Sequence, residues 1–402
     1  MNAGCTIVSP NYLPYARTLA ASYLQHHPDH LFFVLIVADV KDKGVFAAEQ
    51  FTTVLLQDLG LDNLYSLAMK YNILELNTNV KPSFLNFLLR AYPSLETLVY
   101  LDPDIFVYAR LEPVYTLLKS NNIVLTPHIV VPTLEPFLDI EQSILVTGTY
   151  NLGFIAIRRS QEAAAMLSWW EIRCLQLAYN ETRTGLFVDQ KWVTLVPGIF
   201  EHVAICRHPG CNMAYWNLQE RKLQIGDIGY RVNEAYNLYF YHFSGVSVDD
   251  PKSLTKYTER FTLDNRNDLI DIFTSYKALV SNNRDSLADR IPYGFDHFSD
   301  GSEVTPLARR IFAAHEGRFS GKDPFDPAGP FYRFAKRRRL VGGKNYRGPT
   351  RWREVNQKDF RIRILNSVFL AALFVLGPSR YELLMRYLSH FSILRSQKLF
   401  IK

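Results

Sequence analysis

Cysteine is scarce in this 402-residue chain, which has four, at Cys5, Cys174, Cys206 and Cys211. So few thiols exclude a disulfide scaffold. With no secretory leader ahead of the strand-like Cys5-Thr6-Ile7-Val8, they lead us to expect a reducing cytoplasm. Long apolar runs are missing too. The longest candidate, residues 365–376, is interrupted by Asn366-Ser367 and ends at Gly377-Pro378, short of the roughly 18 to 20 residues that cross a bilayer, so it should not span. The glycine-rich basic loop that cradles a triphosphate after a first strand is also lacking, because Ser9-Pro10-Asn11-Tyr12 stands there. Neither an internal repeat nor a nucleic-acid motif is found, and nucleic acid is not an expected partner.

Apolar residues make up 48% of the chain and charged residues 21%, which describes a folded protein of two or three domains with a substantial core. Aromatic residues reach 14%, and core filling is their ordinary use. The net charge of +6 hides an uneven distribution. Residues 333–402 hold 17 Lys and Arg against 3 Asp and Glu, so the tail is basic and the body acidic.

Strand and helix patterns alternate through the first quarter. Strands are expected at residues 5–9, 31–37, 54–56 and 73–76 and at Thr97–Leu101, with helices at residues 15–24 and 61–70 and at Lys81–Ala91. The run at 31–37 is almost continuously apolar, as in a strand buried on both faces of a parallel sheet. Such alternation implies an open α/β sheet, in which ligands gather beyond the carboxyl ends of the strands. From about Pro251 onward no strand pattern returns and a mostly helical region is expected. The divisions read from these changes are 1–255, 256–332 and 333–402.

Asp102-Pro103-Asp104 directly follows the strand Val99-Tyr100-Leu101. Carboxylates two positions apart in extended chain point to one side, so both can converge on one hard divalent cation and leave room for a diphosphate. The cation would neutralise charge on a phosphate leaving group. A solvated turn or helix cap uses the same residues, so the triplet gains weight from its neighbours.

Those neighbours resemble the retaining GT-A glycosyltransferases related to family 8, which include lipopolysaccharide galactosyl- and glucosyltransferases and glycogenin. Ser9-Pro10-Asn11-Tyr12-Leu13-Pro14-Tyr15-Ala16 is similar to their nucleotide-holding start, and Asp102/Asp104 to their D-x-D pair. Asn151-Leu152-Gly153-Phe154 resembles the N-x-G segment, Asp189-Gln190 the Asp-Gln pair, and His242-Phe243-Ser244-Gly245 the H-x-x-G element. The resemblance implies a GT-A domain, Rossmann-like with a mostly parallel central sheet, and a mostly helical C-terminal region. It implies Mn²⁺ or Mg²⁺ on Asp102, Asp104 and His242. It also implies a nucleotide sugar, UDP-linked by expectation, bound through Ser9, Asn11, Tyr12, Asp102, Gly153 and Gly245. Asn151, Asp189 and Gln190 would then hold the transferred hexose. The acceptor would be a hydroxyl of a saccharide or glycolipid, in polysaccharide or lipopolysaccharide synthesis.

One departure concerns the diphosphate lysine, which the family carries just past its H-x-x-G. Here Val246-Ser247-Val248-Asp249-Asp250 intervenes, leaving Lys252 through a longer loop, or Lys81 at the head of its helix, as the alternatives. The segment 208–217 could line an acceptor pocket. His202, Cys206, His208 and Cys211 lie close together there, but their spacing matches no common zinc pattern and the thiols could equally be packed.

The tail combines Lys336-Arg337-Arg338-Arg339, Arg347, Arg351, Trp352 and Arg353 with the apolar run 365–376 and Tyr381, Met385, Arg386 and Tyr387. That mixture suits an interfacial helix on an anionic membrane, at the inner face if the protein is cytoplasmic; packing on the rest of the chain is the other reading. Two rival functions stay open on sequence alone: a nucleotidyltransferase, and a carbohydrate- or membrane-binding scaffold without turnover.

Overall fold

The computed structural model describes residues 1–227, 229–286, 290–319, 321–343 and 360–402. Arg347, Arg351, Trp352 and Arg353 of the basic tail lie outside the described residues. The chain forms two units, one of Met1–Asp62 with Ile73–Gly294 and one of Asn63–Asn72 with Phe295–Lys402.

In the first unit, β1 (Asn2–Val8), α1 (Leu13–His26), β2 (Leu31–Ile36) and β3 (Thr52–Leu55) open the chain. In the second, α2 (Leu64–Lys70) is held by the buried Arg309, whose guanidinium donates to the carbonyls of Ala68 and Tyr71, both at 2.9 Å, and of Phe295 at 2.5 Å. The first unit resumes with α3 (Ile73–Asn79), α4 (Lys81–Ala91), β4 (Thr97–Leu101), β5 (Ile105–Val107), β6 (Ile123–Pro127), β7 (Tyr150–Arg158), α5 (Gln161–Leu177), α6 (Gln190–Val193), β8 (Val203–Ile205) and β9 (Phe240–His242). The central sheet has seven strands in the order β8-β6-β7-β4-β1-β2-β3, and β7 alone runs antiparallel to its neighbours. Leu-Phe-Phe-Val-Leu-Ile in β2 is buried from its second residue on, as expected for a strand covered on both faces. This mostly parallel α/β sheet and the mainly helical C-terminal region are the GT-A-like architecture that the resemblance implied.

The expected strand at residues 73–76 is a helix instead. Ile-Leu-Glu-Leu is too short an apolar run for periodicity to separate the two forms. Asn77 closes a local turn onto the Ile73 carbonyl, and a distant contact decides the form: the buried Glu75 carboxylate accepts the Asn180 N–H at 2.8 Å.

In the second unit the later elements are mostly helical, with α7 (Pro306–Ala314) capped by Thr305, α8 (Pro330–Arg337) and the long α9 (Phe360–Phe391), which breaks at Gly377. Among the described residues, the one departure from the expectation of no further strand there is a two-residue ribbon of Glu303–Val304 with Val341–Gly342, too short to carry a pattern.

Candidate active site

β4 delivers Asp102 at its carboxyl end, where the Asp102 N–H donates to Gly153 O at 2.7 Å across the sheet. The chain then turns over Pro103 into β5, and β9 pairs antiparallel with β5 in a separate ribbon that sets His242 opposite Ile105. The Phe243 N–H donates to Asp104 O at 2.8 Å and locks that register. Two remote segments are thereby brought to one point. His242 Nε2 lies 2.9 Å from Asp104 Oδ1 and 3.9 Å from Asp102 Oδ2, and one donor atom from each of the three residues falls within 4.8 Å of the other two. Among the described residues this is the only such group of three or more His, Cys, Asp or Glu. His202, Cys206, His208 and Cys211 do not form another, and the two cysteines are free buried thiols.

His242 is buried against the edge of Trp216, with ring centres 5.1 Å apart. Burial works against a proton on the imidazole, but Asp104 and Asp102 outweigh it and hold the pKa above the ordinary histidine value. A chain of amides fixes the ring. Gln190 Nε2 donates to Thr147 O at 3.1 Å and its Oε1 accepts from Leu152 N at 3.1 Å, so backbone groups set its orientation. Gln190 Oε1 faces Asn151 Nδ2 at 3.5 Å, which turns Asn151 Oδ1 toward His242 Nδ1 at 3.3 Å, where Asn212 Nδ2 also donates at 3.1 Å. Nδ1 therefore carries hydrogen toward Asn151, and Nε2 holds its own proton against Asp104. Loss of that proton would turn the Nε2 lone pair to an ion between the aspartates, with Nδ1–H still held from behind, the arrangement that metal-binding histidines need. Gly153 makes the approach possible, since a Cβ there would stand 2.4 Å from His242 Cε1 and 2.8 Å from Asn151 Oδ1.

Lys81 opens α4 and is almost fully buried. Its Nζ lies 2.7 Å from Asp189 Oδ2 and 3.8 Å from Asp102 Oδ1, donates to Leu152 O at 2.7 Å and sits 4.3 Å from the centre of the Tyr100 ring. Burial disfavours both charges: at Lys81, Asp189 and Asp102 overcome it and raise the lysine pKa, whereas at Asp189 burial prevails over Lys81 and raises the carboxyl pKa; the 2.7 Å contact is that of an ion pair. Asp189 stands at the N-cap of α6 without capping it by its side chain, so its carboxylate serves Lys81. Of the two lysines considered, the fold brings Lys81 to the aspartates. Lys252 is exposed in a turn, its N–H on the Asp250 carboxylate.

At the end of β1, Ser9 Oγ donates to Asn11 Oδ1 at 2.7 Å and Tyr12 stacks on Tyr15 at 4.8 Å. Partial burial, then the nearby Asp104, push the Tyr12 phenol up to about 12. Gly245 has φ +75°, and a Cβ there would meet Tyr257 Cε2 at 2.5 Å, so this glycine is required twice over.

Sequence reading passed over several residues here. The Tyr100 hydroxyl donates to Asp102 Oδ1 at 2.7 Å, although the residue reads as plain strand. Tyr257 stacks on Tyr215 at 5.4 Å, and the Lys256 N–H donates to Gly245 O at 3.0 Å, placing a lysine only four positions beyond the one considered. Buried Lys277 holds that loop by donating to the carbonyls of Asp250, Pro251 and Ser253. Only its helical spacing was visible in the sequence, not its distant partners.

No family model matches the chain. The uncharacterized protein YfnF of Bacillus subtilis (strain 168) is 29% identical over 264 residues, spanning 64% of this chain and 86% of its own length. YfnD, an uncharacterized protein of the same organism, is 25% identical over 248 residues, or 60% and 77%. Among solved structures, the galactosyltransferase LgtC in complex with donor and acceptor sugar analogs is 15% identical, covering 70% of this chain and 95% of its own at a TM-score of 0.38. The glycosyltransferase GlyE of Streptococcus pneumoniae TIGR4 is 12% identical, covering 77% and 72% at a TM-score of 0.40. Both solved structures are glycosyltransferases.

Proposed function

We propose that this chain is a metal-dependent glycosyltransferase of the family-8 type, moving a hexosyl group from a nucleotide sugar, with UDP as the nucleotide, to a hydroxyl of a saccharide or glycolipid. The observation that carries the reading is the convergence of Asp102, Asp104 and His242 at the edge of a mostly parallel sheet, with the imidazole oriented from behind. Two carboxylates and one neutral imidazole are a fitting donor set for Mn²⁺ or Mg²⁺, because oxygen-rich sites suit hard cations and leave positions for phosphate oxygens. Asp102, Asp104 and His242 would hold the ion, which when bound supplies neutralisation of the charge growing on the departing diphosphate.

The remaining roles fall to the chain's own groups. Ser9, Asn11 and Tyr12 would take the base and ribose, Gly153 and Gly245 would let the backbone approach the donor, and Lys81 (or Lys252) would add positive charge near the diphosphate. Asn151, Asp189 and Gln190 orient the sugar. The Asp189 carboxylate is paired at 2.7 Å with a buried ammonium, which makes it a poor nucleophile for a double displacement. A front-face route with retention fits better: the anomeric carbon–phosphate oxygen bond breaks, the acceptor oxygen bonds to the same face, and its proton passes to the leaving phosphate. We assign this chemistry to residues 1–255. A reducing cytoplasm agrees with the four free thiols.

The test is release of UDP from a panel of UDP-sugars with and without Mn²⁺. We expect metal-stimulated release, a loss of at least ~100-fold in Asp102→Ala, and a melting temperature near that of the parent. Full activity in that variant overturns the proposal. Pyrophosphate release from a nucleoside triphosphate would indicate a nucleotidyltransferase instead, and no turnover of either kind a scaffold.

A further inference from the structure

The helix α9 has no buried residue along its whole length. Its middle is nonetheless apolar, with Phe374 90% exposed, Val375 77% and Leu370 69%. A continuous apolar surface of this size in water marks a site of association. Two properties identify what covers it.

The first is shape. Residues 364–376 carry no charge, and Ile364, Leu365, Val368, Leu370, Leu373 and Phe374 are spaced around the whole helix. A protein partner covers one stripe of a helix, whereas lipid covers all of it. The whole of α9 is long and apolar enough to cross a membrane by length and composition. At 1.5 Å per residue, however, the arm before the break is ~20 Å long, against a hydrocarbon thickness of about 30 Å, so up to Gly377 it reaches through one leaflet. At its end Gly377 leaves helical geometry, with φ 70° and ψ 167°, and Pro378 follows. Past the break the pattern changes. Tyr381, Leu384, Leu388 and Phe391 share one face at helical spacing, while Glu382, Arg386, Ser389 and His390 share the other, as in a helix that lies within a membrane surface.

The second is charge. Arg361 and Arg363 stand at one end of the charge-free arm and Arg380 just past the other, with Arg395, Lys398 and Lys402 beyond. Glu382 is the only acidic residue among 360–402, so the surface complements anionic headgroups.

We propose that α9 is a monotopic membrane anchor: residues 364–376 enter a single leaflet, the chain breaks at Gly377-Pro378, and residues 379–391 lie among the anionic headgroups of that same leaflet. The assignment is independent of the catalytic reading, since it rests on none of the active-site residues.

Co-sedimentation of the full chain with phosphatidylcholine vesicles, with and without phosphatidylglycerol, measures binding. We expect retention on the anionic vesicles only. Arg361→Gln with Arg363→Gln should lower the partition about fivefold per charge removed, and Phe374→Asp with Val375→Asp should abolish it. Because both apolar positions face solvent in the lipid-free protein, the latter variant should keep the parent melting temperature. Topology is read with a membrane-impermeant maleimide added outside preformed vesicles, on Phe360→Cys and Ser396→Cys, against a background of four buried native cysteines. Labelling of both positions without detergent supports the single-leaflet anchor. Protection of Ser396→Cys until detergent is added shows a spanning helix and overturns it. Absence of vesicle binding, or concentration-dependent dimerisation that Phe374→Asp with Val375→Asp abolishes in its place, overturns it as well.

Discussion

Lys81 shows how much one side chain can be asked to do. It keeps a full charge in the interior because Asp189 lies at 2.7 Å, Asp102 at 3.8 Å and the Leu152 carbonyl takes one of its protons. Lys81→Met leaves the Asp189 carboxylate buried without its cation, and removing one partner of such a pair costs about 3–5 kcal/mol. We expect that loss in chemical denaturation. Adding Asp189→Leu should restore most of the stability, since apolar replacement of a whole buried pair is often near neutral, while donor turnover stays absent. The sequence offered Lys81 and Lys252 as equals, because nothing local to a lysine tells which distant carboxylate it will meet. Asp102 and Asp104 were legible for the opposite reason: two carboxylates set after a strand narrow the possibilities before any contact is known, whereas His242 joined them only through the resemblance of its H-x-x-G segment. The link from Gln190 through Asn151 to the imidazole was not legible, since amides advertise no partner.

At the scale of elements, the site depends on how closely β7 passes beneath β9. Gly153 permits that passage, and a methyl group at this position would press on His242 and Asn151 together. Gly153→Ala should therefore weaken Mn²⁺ binding at least ~10-fold, the loss typical of disturbing groups that orient a ligand. Titration calorimetry checks this, with circular dichroism expected to show the sheet retained. Long patterned elements were read well: α4 and β4 have the bounds expected, because eleven and five residues respectively carry their periodicity plainly. β9 went unread as a strand, since its three residues, Phe240, Tyr241 and His242, gain their form from pairing with β5 and from the bridge of Met213 to Tyr241. The helix at Ile73–Asn79 was misread because the contact that settles it, Glu75 with Asn180, comes from far along the chain.

For the molecule as a whole, acid should be destabilising through a histidine far from the catalysis. His27 is fully buried, its Nδ1 on Tyr23 O at 2.9 Å and its Nε2 accepting the Leu111 N–H at 3.1 Å, so the folded chain requires the neutral ring. Burial pushes its pKa down to about 4, with His30, His26 and Arg110 also disfavouring the charge. Because the folded value lies below the unfolded one, near 6.5, the contribution to stability is complete above that pH. It is lost as acid approaches about 4, with a slope of at most ~1.4 kcal/mol per pH unit. His27→Gln should remove this component, so the difference in melting temperature between parent and variant should change between pH 6.5 and 4 and level off outside that window.

The ribbon of β5 and β9 also orders events in time. Asp102 and Asp104 leave the ribosome long before His242, and the strand bearing the histidine can pair only once the intervening chain has been made. A nascent chain halted before Phe240 could fold much of its sheet and still lack a complete cation site. Metal capture would then report that synthesis had passed this point, and premature termination upstream of it would yield a protein that is partly folded but catalytically silent.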